Sequence, residues 1–246
     1  MTGREITVCL AVNKIILRIR KELKKHATAK TRKSFQRFFK EPMRSYGVKT
    51  PVVGKIARRF WPEAAPLGKE KIFTLCAELY GSDLCEEAFI VSWWAPRLAT
   101  AYEPADFRIF KGWIKRYINN WAKCDGFCCG TMGLFLEKYP EFLPKIKTWT
   151  RSRNRWMKRA AAVSLISQAR QGKLLKDVFD IADRLLVDPD DMVQKGYGWM
   201  LKEASRRHQA EVLQYVLRNK KYMPRTALRY AIELMPKSLK QRAMRP

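Results

Sequence analysis

The stretch most informative about the fold reads RWMKRAAAV, at residues 155–163. A related stretch, MVQKGYGW, follows about 37 residues later, at residues 192–199. Apolar side chains recur in both at the spacing of an amphipathic helix, and an offset of this length is typical of arrays of two-helix repeats. In such an array each helix pair buries one face against the next pair, which produces a curved α-solenoid with a concave side. The prediction is therefore an all-α fold of stacked helical repeats.

The same helical periodicity extends over most of the chain, and no alternating strand pattern interrupts it. Short breakers rich in Gly, Pro and Asp separate the predicted helices. We expect one domain over residues 1–246, in which residues 1–45 form N-terminal capping helices. Because the internal similarity is weak, an irregular helical bundle without a repeat stays open. The predicted helices cover residues 8–23, 72–80, 85–98, 107–121, 126–138, 155–168, 174–186, 191–206, 211–219 and 224–235.

The chain is strongly basic, with 50 Lys and Arg against 23 Asp and Glu and a formal net charge of +27. Solubility alone needs a net charge of only about 2 to 8, so an anionic partner is expected. Nucleic acid is the first candidate because it presents dense phosphate charge, and an anionic membrane surface is the second. No run of about 18 apolar residues and no export leader is recognised, which predicts a cytoplasmic protein without a membrane span.

The cysteines and histidines do not form a metal-binding pattern. No Cys-x-x-Cys pair occurs, and the two histidines, His26 and His208, are far from the cysteines in sequence. Phosphate-binding loops, dinucleotide fingerprints and His-Glu-x-x-His helices are also missing, so neither a nucleotide cofactor nor a metal is expected. The thiols are interpreted as small core residues. They belong to Cys9, Cys76, Cys85, Cys124, Cys128 and Cys129.

Four motifs occur in an order that points to a known family. They read YGVKTP at 46–51, YINNWAKCD at 117–125, RWMKR at 155–159 and QKGYGWMLKE at 194–203. Together they resemble the bacterial DNA alkylation repair enzymes of the HEAT-like-repeat glycosylase family, over roughly residues 25–235.

This resemblance implies a fold and an activity. Members of the family are C-shaped superhelices of HEAT-like repeats, so a basic concave groove for duplex DNA is expected. They are monofunctional glycosylases of base excision repair, which remove cationic N3- and N7-alkylated purines by hydrolysing the N-glycosidic bond. The resemblance is consistent with a damaged base that stays stacked. We expect a bacterial protein associated with the nucleoid through DNA. Because a solenoid that clasps a duplex needs no partner subunit, we also expect a monomer without an obligate protein partner.

The resemblance further implies roles for four side chains. Asp125 is the expected catalytic carboxylate, and Arg159 is expected beside it at the phosphates. Trp121 and Trp199 are expected against the backbone and sugar of the damaged nucleotide. The chain departs from many relatives at Ala122, where an acidic residue is common, so the charge next to the motif tryptophan differs from theirs.

The residue types suit this chemistry. Trp121 and Asp125 are four positions apart, so on one helix they share a face. The carboxylate can stabilise a cationic sugar while the indole packs beside it, and a guanidinium at Arg159 can keep the acid ionised and hold a phosphate. The alternative is structural: any of eight tryptophans can be core, and Asp125 can be a cap or an ion-paired acid.

Further phosphate contacts are predicted from placement near helix starts or inner faces. These residues are Lys49, Arg58, Arg153, Lys195 and Lys202. Arg155 and Lys158 join them as candidates, although a solvated basic helix face explains these two charges equally well.

Two other functions stay open at this point. The first is a non-catalytic binder of distorted or branched DNA that uses the same groove, and the presence of Asp125 argues against it. The second is a helical scaffold for RNA or an acidic protein, which has no need of one acid among tryptophans. Excision of 7-methylguanine, compared between the wild type and Asp125→Asn, separates an enzyme from a binder.

Overall fold

The computed structural model of the protein describes the backbone of residues 3–245 and the side chains of residues 14–245. The side chain of Cys9 lies outside the described residues. The described backbone consists of helices joined by turns and irregular loops and contains no strand, so the all-α prediction is confirmed. No helix in this part of the chain is both long enough and apolar enough to cross a bilayer.

Sixteen α-helices follow one another in residues 3–245, joined by short 3₁₀ turns and, at Cys128–Met132, one π-helical segment. They are α1 Gly3–Lys25, α2 Ala29–Gln36, α3 Thr50–Ala64, α4 Lys69–Gly81, α5 Cys85–Trp94, α6 Asp106–Tyr117, α7 Trp121–Phe127, α8 Gly133–Lys138, α9 Leu143–Lys147, α10 Arg155–Val163, α11 Ile166–Arg170, α12 Leu175–Leu185, α13 Asp191–Ala204, α14 Gln209–Asn219, α15 Arg225–Ala231 and α16 Lys237–Met244.

Several predicted helix boundaries were wrong: the helix predicted over 155–168 divides into Arg155–Val163 and Ile166–Arg170, that over 126–138 begins inside α7, and that over 224–235 ends at Ala231. Two further differences have identifiable reasons. The helix predicted over 107–121 ends at Tyr117, and Trp121 begins the next helix because Asn120 caps it. The helix predicted over 85–98 ends at Trp94, and Ala95–Ala101 forms a 3₁₀ turn that begins next to Pro96. The first difference matters for the site, since it places Trp121 at the start of the helix that carries Asp125.

The chain folds into two compact units, residues 1–109 and 110–246. A compact packing unit is not necessarily an independent folding domain, so the expectation of a single domain stays a prediction. In the first unit α3 packs against both α1 and α5. A buried carboxylate orders the loop before α3. Glu86 is fully buried and accepts hydrogen bonds from the backbone N–H groups of Tyr46, Gly47 and Val48. It therefore anchors the YGVKTP segment that precedes α3.

The second unit contains the repeat that the sequence indicates. Its helices α7, α10, α13 and α15 begin at residues 121, 155, 191 and 225, at intervals of 34, 36 and 34 residues. Each packs on the next one of this series, and the packing of α13 against α15 is the most extensive between helices of the described chain. The prediction of stacked helical repeats is thereby confirmed, and the fold is consistent with an α-solenoid of the HEAT-like type.

The described cysteines behave as core residues. Cys76, Cys85, Cys124 and Cys128 are buried and Cys129 is partly buried, and all five are free thiols. Burial raises the pKa of the Cys129 thiol to about 12, so it is protonated and poorly nucleophilic at neutral pH.

Candidate active site

Helix α7 presents two of the predicted site residues on one face. The side chain of Asn120 accepts a hydrogen bond of 3.0 Å from the backbone N–H of Lys123, which starts the helix. Trp121 and Asp125, one turn apart, are partly exposed, whereas Lys123 and Cys124 on the other side are buried. The indole and the carboxylate therefore face the same side of α7. A π-helical segment follows at Cys128–Met132, a feature frequent near functional sites.

Helix α10 brings Arg159 onto the carboxylate of Asp125. Nε and Nη2 of Arg159 donate hydrogen bonds of 2.8 Å each to Oδ1 and Oδ2 of Asp125. Nη1 donates to the backbone oxygen of Met192 on α13. Trp156 and Ala160 on α10 are buried, as the sequence indicates, and this packing fixes the helix that carries the arginine. The guanidinium thus joins three successive repeats.

The Asp125–Arg159 pair is shielded but not sealed. The Asp125 side chain is 16% exposed and that of Arg159 is 6% exposed. Burial raises the pKa of the Asp125 carboxyl above its ordinary value, and Arg159 opposes that rise. Burial also disfavours the charge of Arg159, but the hydrogen bonds and charge of Asp125 outweigh this and raise the pKa of Arg159. A bidentate ion pair of this kind keeps an anion in a site with little water.

Trp199 lies on α13, the helix whose Met192 oxygen receives the Arg159 hydrogen bond. Its ring is partly exposed, and its Nε1–H donates a hydrogen bond of 3.1 Å to Oε1 of Glu203. Glu203 is 4% exposed and also receives Nε–H bonds from Arg170 and Arg206, at 2.9 and 2.6 Å. Burial alone raises the pKa of Glu203, but the bonds from these arginines and from Trp199 hold it below its usual value.

A carboxylate on α7 is paired with a guanidinium on α10, and the neighbouring helices α7 and α13 each carry a partly exposed tryptophan. A sequence profile described as DNA alkylation repair enzyme matches residues 19–235. The chain belongs to the DNA alkylation repair enzyme family.

A solved structure of another protein has a fold similar to that of this chain. The structure titled "Predicted DNA alkylation repair enzyme from Enterococcus faecalis" superposes with a TM-score of 0.76 at 15% sequence identity. The alignment covers 86% of this chain and 98% of that chain, so the similarity extends over nearly the whole fold. The search among curated proteins returned no match.

Four of the basic residues that were predicted to contact DNA form ion pairs with acidic side chains of the protein itself. Arg155 pairs with Asp190 at 2.8 Å, and Lys158 pairs with Asp188 at 2.6 Å. Asp190 also caps α13, because its carboxylate accepts the N–H groups of Met192 and Val193. The two remaining pairs are Lys195 with Asp191 and Lys202 with Glu233, at 3.2 and 3.1 Å. Three of these cations, those of Arg155, Lys158 and Lys202, join successive helical repeats, whereas Lys195 pairs within α13.

The other three predicted phosphate contacts are different. Arg153, Lys49 and Arg58 are exposed, and none of them forms an ion pair with a described carboxylate. Arg153 lies in the second unit, next to Asn154, the residue that caps α10. Lys49 and Arg58 lie in the first unit, at the start of α3 and in its middle. Their charge is available to a phosphate without breaking an existing pair.

Glu203 is the site residue to which the sequence reasoning gave no role. It belongs to the quoted motif and lies four positions after Trp199, a spacing that allows a hydrogen bond between the two side chains on one helix. That spacing was the available signal. Of the two arginines that hold Glu203, Arg206 lies three positions away along the chain, whereas Arg170 lies 33 positions away and is brought close only by folding.

Proposed function

We propose that the protein is a monofunctional DNA glycosylase that hydrolyses the N-glycosidic bond of cationic N3- and N7-alkylated purines in duplex DNA. The observation that carries this proposal is the Asp125 carboxylate, held by Arg159 on the face of α7 that also presents Trp121. Membership of the DNA alkylation repair family supports the substrate class. The net charge of +27 supports a polyanionic partner.

The leaving group makes the chemistry possible with a single acid. An alkylated N3 or N7 gives the purine a positive charge, and the charge is neutralised when the bond to C1′ breaks and its electron pair stays on the base. The enzyme therefore does not need to protonate the base. It has to stabilise the oxocarbenium-like sugar and supply water, as in glycoside hydrolysis without the leaving-group acid.

Asp125 performs both tasks in this mechanism. Its negative charge lies beside the positive charge that develops on the sugar, in a site where little water screens the interaction. A water molecule adds through its oxygen to C1′, and Asp125 accepts the proton and releases it to solvent. The products are the neutral purine, an abasic sugar with a C1′ hydroxyl, and one proton.

The tryptophans and Arg159 supply the surroundings of the sugar. Trp121 packs against deoxyribose C–H groups and attracts the cationic ring through its π face, and Trp199 forms a second wall. Arg159 keeps Asp125 ionised and approaches a backbone phosphate. Because a lesion that leaves spontaneously needs only its sugar to be reached, the base stays stacked and is not flipped. We propose that one protein molecule acts alone on the duplex.

The test is the release of labelled 7-methylguanine from a duplex oligonucleotide by the wild type and by Asp125→Asn. The asparagine has the same shape without the charge, so we expect the single-turnover rate to fall at least about 100-fold while duplex binding is retained. A folded wild-type protein that releases neither 7-methylguanine nor 3-methyladenine contradicts the proposal. That outcome, with duplex binding intact in both proteins, identifies a non-catalytic DNA binder instead.

A further inference from the structure

Two arginines and two tryptophans of the first unit share one surface. Arg58 and Trp61 lie one turn apart on α3, Trp93 lies near the end of α5, and Arg97 lies in the 3₁₀ turn that follows. The rings of Trp61 and Trp93 meet edge to face, with centroids 6.3 Å apart. Because α3 and α5 pack directly on each other, this ring contact brings the two arginines to the same side. We call these four residues the arginine–tryptophan surface.

The guanidinium of Arg97 is held in place from two directions. Its Cζ lies 2.9 Å from the centre of the Trp93 ring, and its Nη1 donates a hydrogen bond of 2.5 Å to the backbone oxygen of Trp93. A guanidinium stacked on an indole keeps its outer N–H groups directed away from the ring. Since the side chain is already ordered, binding an anion costs less conformational entropy than for a mobile lysine.

Both arginines carry charge that no described acid neutralises. Arg58 and Arg97 form no ion pair with a described carboxylate, whereas the neighbouring Arg59 pairs with Glu22 at 3.2 Å. Partial burial and the charge of Arg58 lower the pKa of Arg97. The surface therefore concentrates positive charge at a cost in repulsion, and an anion bound there relieves that repulsion.

We propose that Arg58 and Arg97 together bind backbone phosphates of DNA, with Trp93 holding Arg97 in its binding orientation. This site lies entirely in the first unit, and Arg97 and the tryptophans add to it residues that the sequence did not single out as DNA contacts. It rests on the proposed function only in taking DNA as the partner. Its role is to hold the duplex and not to break a bond.

The test measures binding of an undamaged duplex over a range of salt concentrations. We expect Arg58→Met and Arg97→Met each to weaken binding about 5- to 10-fold near 0.1 M salt and to reduce the slope of log K against log salt by about 0.9 for each phosphate that is no longer bound. Arg59→Met is the matched control, because it removes an adjacent arginine whose charge is already paired. We expect its salt slope to equal that of the wild type.

A second variant tests the role of the indole. Trp93→Leu leaves both charges in place but removes the ring beneath Arg97, so its effect on affinity should match that of Arg97→Met and should not add to it in the double variant. Thermal melting of each variant shows that it is folded. Equal salt slopes for Arg58→Met, Arg97→Met and Arg59→Met overturn the proposal, as does full additivity of Trp93→Leu and Arg97→Met.

Inorganic phosphate distinguishes DNA from a free anion as the ligand. At constant ionic strength, we expect millimolar phosphate to change the melting temperature of the wild type by no more than it changes that of Arg97→Met. The reason is that a single anion lacks the neighbouring phosphates of a duplex. The assignment to DNA is overturned if phosphate raises the melting temperature of the wild type only, and if Arg97→Met binds the duplex as tightly as the wild type does. The binding assay uses undamaged DNA and involves no excision. Its outcome can therefore be interpreted even if the protein proves not to be a glycosylase.

Discussion

The backbone of Gly196 on α13 lies against the side chain of Arg159 on α10. A Cβ atom added at Gly196 would be 3.1 Å from Cγ of Arg159, closer than a relaxed contact. The missing side chain therefore gives Arg159 the space to pass α13, donate to the Met192 oxygen and reach Asp125. A glycine in the helix interior, unfavourable for helix stability, is explained by the position of the guanidinium.

We expect Gly196→Ala to lower the excision rate more than it lowers stability. The new methyl group displaces Arg159 by a few tenths of an ångström and disturbs its two bonds to Asp125, which reduces the single-turnover rate by about tenfold. Alanine gains about 0.5 to 1 kcal/mol of helix preference over glycine, which offsets the strain. Single-turnover excision and urea unfolding measure the two effects.

Gly198 on the same helix provides the contrast. A Cβ atom there would lie 2.8 Å from the backbone oxygen of Ala227 on α15, and backbone cannot move away as a side chain can. Gly198→Ala should therefore reduce the free energy of unfolding by about 1 to 3 kcal/mol. If Gly196→Ala destabilises as much as Gly198→Ala and leaves the rate unchanged, the role assigned to Gly196 is wrong.

The pH dependence of excision should report on Asp125. The proposed mechanism needs the ionised carboxylate, so the rate falls as pH decreases through its pKa, and burial places that acid limb above the position of an exposed aspartate. Arg159→Gln removes the charge that lowers this pKa, and the acid limb should move to higher pH. Arg159→Lys retains the charge without the bidentate bonds, so it should move the limb less.

Single-turnover rates measured between pH 4 and pH 9 give the profiles. Arg155→Gln is the control, because this arginine pairs with Asp190 and not with Asp125. An acid limb at the same pH in the wild type and in Arg159→Gln shows that Asp125 is not the titrating group.

The sequence predicts the fold well where a pattern repeats locally. Helical periodicity and the offset between residues 155–163 and 192–199 are properties of short segments, and both are present in the structure. The boundaries that failed depend on competition between neighbouring signals. At residues 117–121 the apolar rhythm continues across Asn120, but α6 ends at Tyr117 and the Asn120 cap begins a new helix, which periodicity alone does not reveal.

The site is only partly readable from sequence, because its decisive interactions join distant segments. The spacing of Trp121 and Asp125 on one helix is local, and it predicts their shared face. The pairing of Asp125 with Arg159 spans 34 positions and came from a resemblance, not from the residues alone. The acidic partners of Arg155 and Lys158 lie 35 and 30 positions away, so ion pairs that only the folded chain reveals neutralise these cations.

The bond between Glu203 and Trp199 predicts a selective effect of two substitutions. Glu203→Gln keeps an acceptor for the indole N–H, whereas Glu203→Ala removes it and frees the ring to rotate. We expect the alanine variant to lose about tenfold in excision rate, and the glutamine variant clearly less, with duplex affinity unchanged or higher in both because Arg170 and Arg206 lose their acid partner.

The indole resonance of Trp199 checks the structural cause. Its Nε1–H signal, assigned with a Trp199→Phe variant, should shift and exchange faster with water in Glu203→Ala but not in Glu203→Gln. Equal loss of rate in the two variants would mean that the charge of Glu203 matters and the indole bond does not.

The division between paired and unpaired cations predicts which of them contact phosphate. Arg155 and Lys158 are held by Asp190 and Asp188, so replacing either with methionine should cost about 1 kcal/mol of stability and leave the salt slope of duplex binding nearly unchanged. Arg153 forms no ion pair with a described acid. Arg153→Met should therefore preserve stability and reduce the magnitude of the slope of log K against log salt for duplex binding by about 0.9. The opposite pattern is a salt slope of reduced magnitude only for Arg155→Met and Lys158→Met. It would contradict this prediction and show that DNA phosphates replace the aspartates as partners of these two cations when the duplex binds.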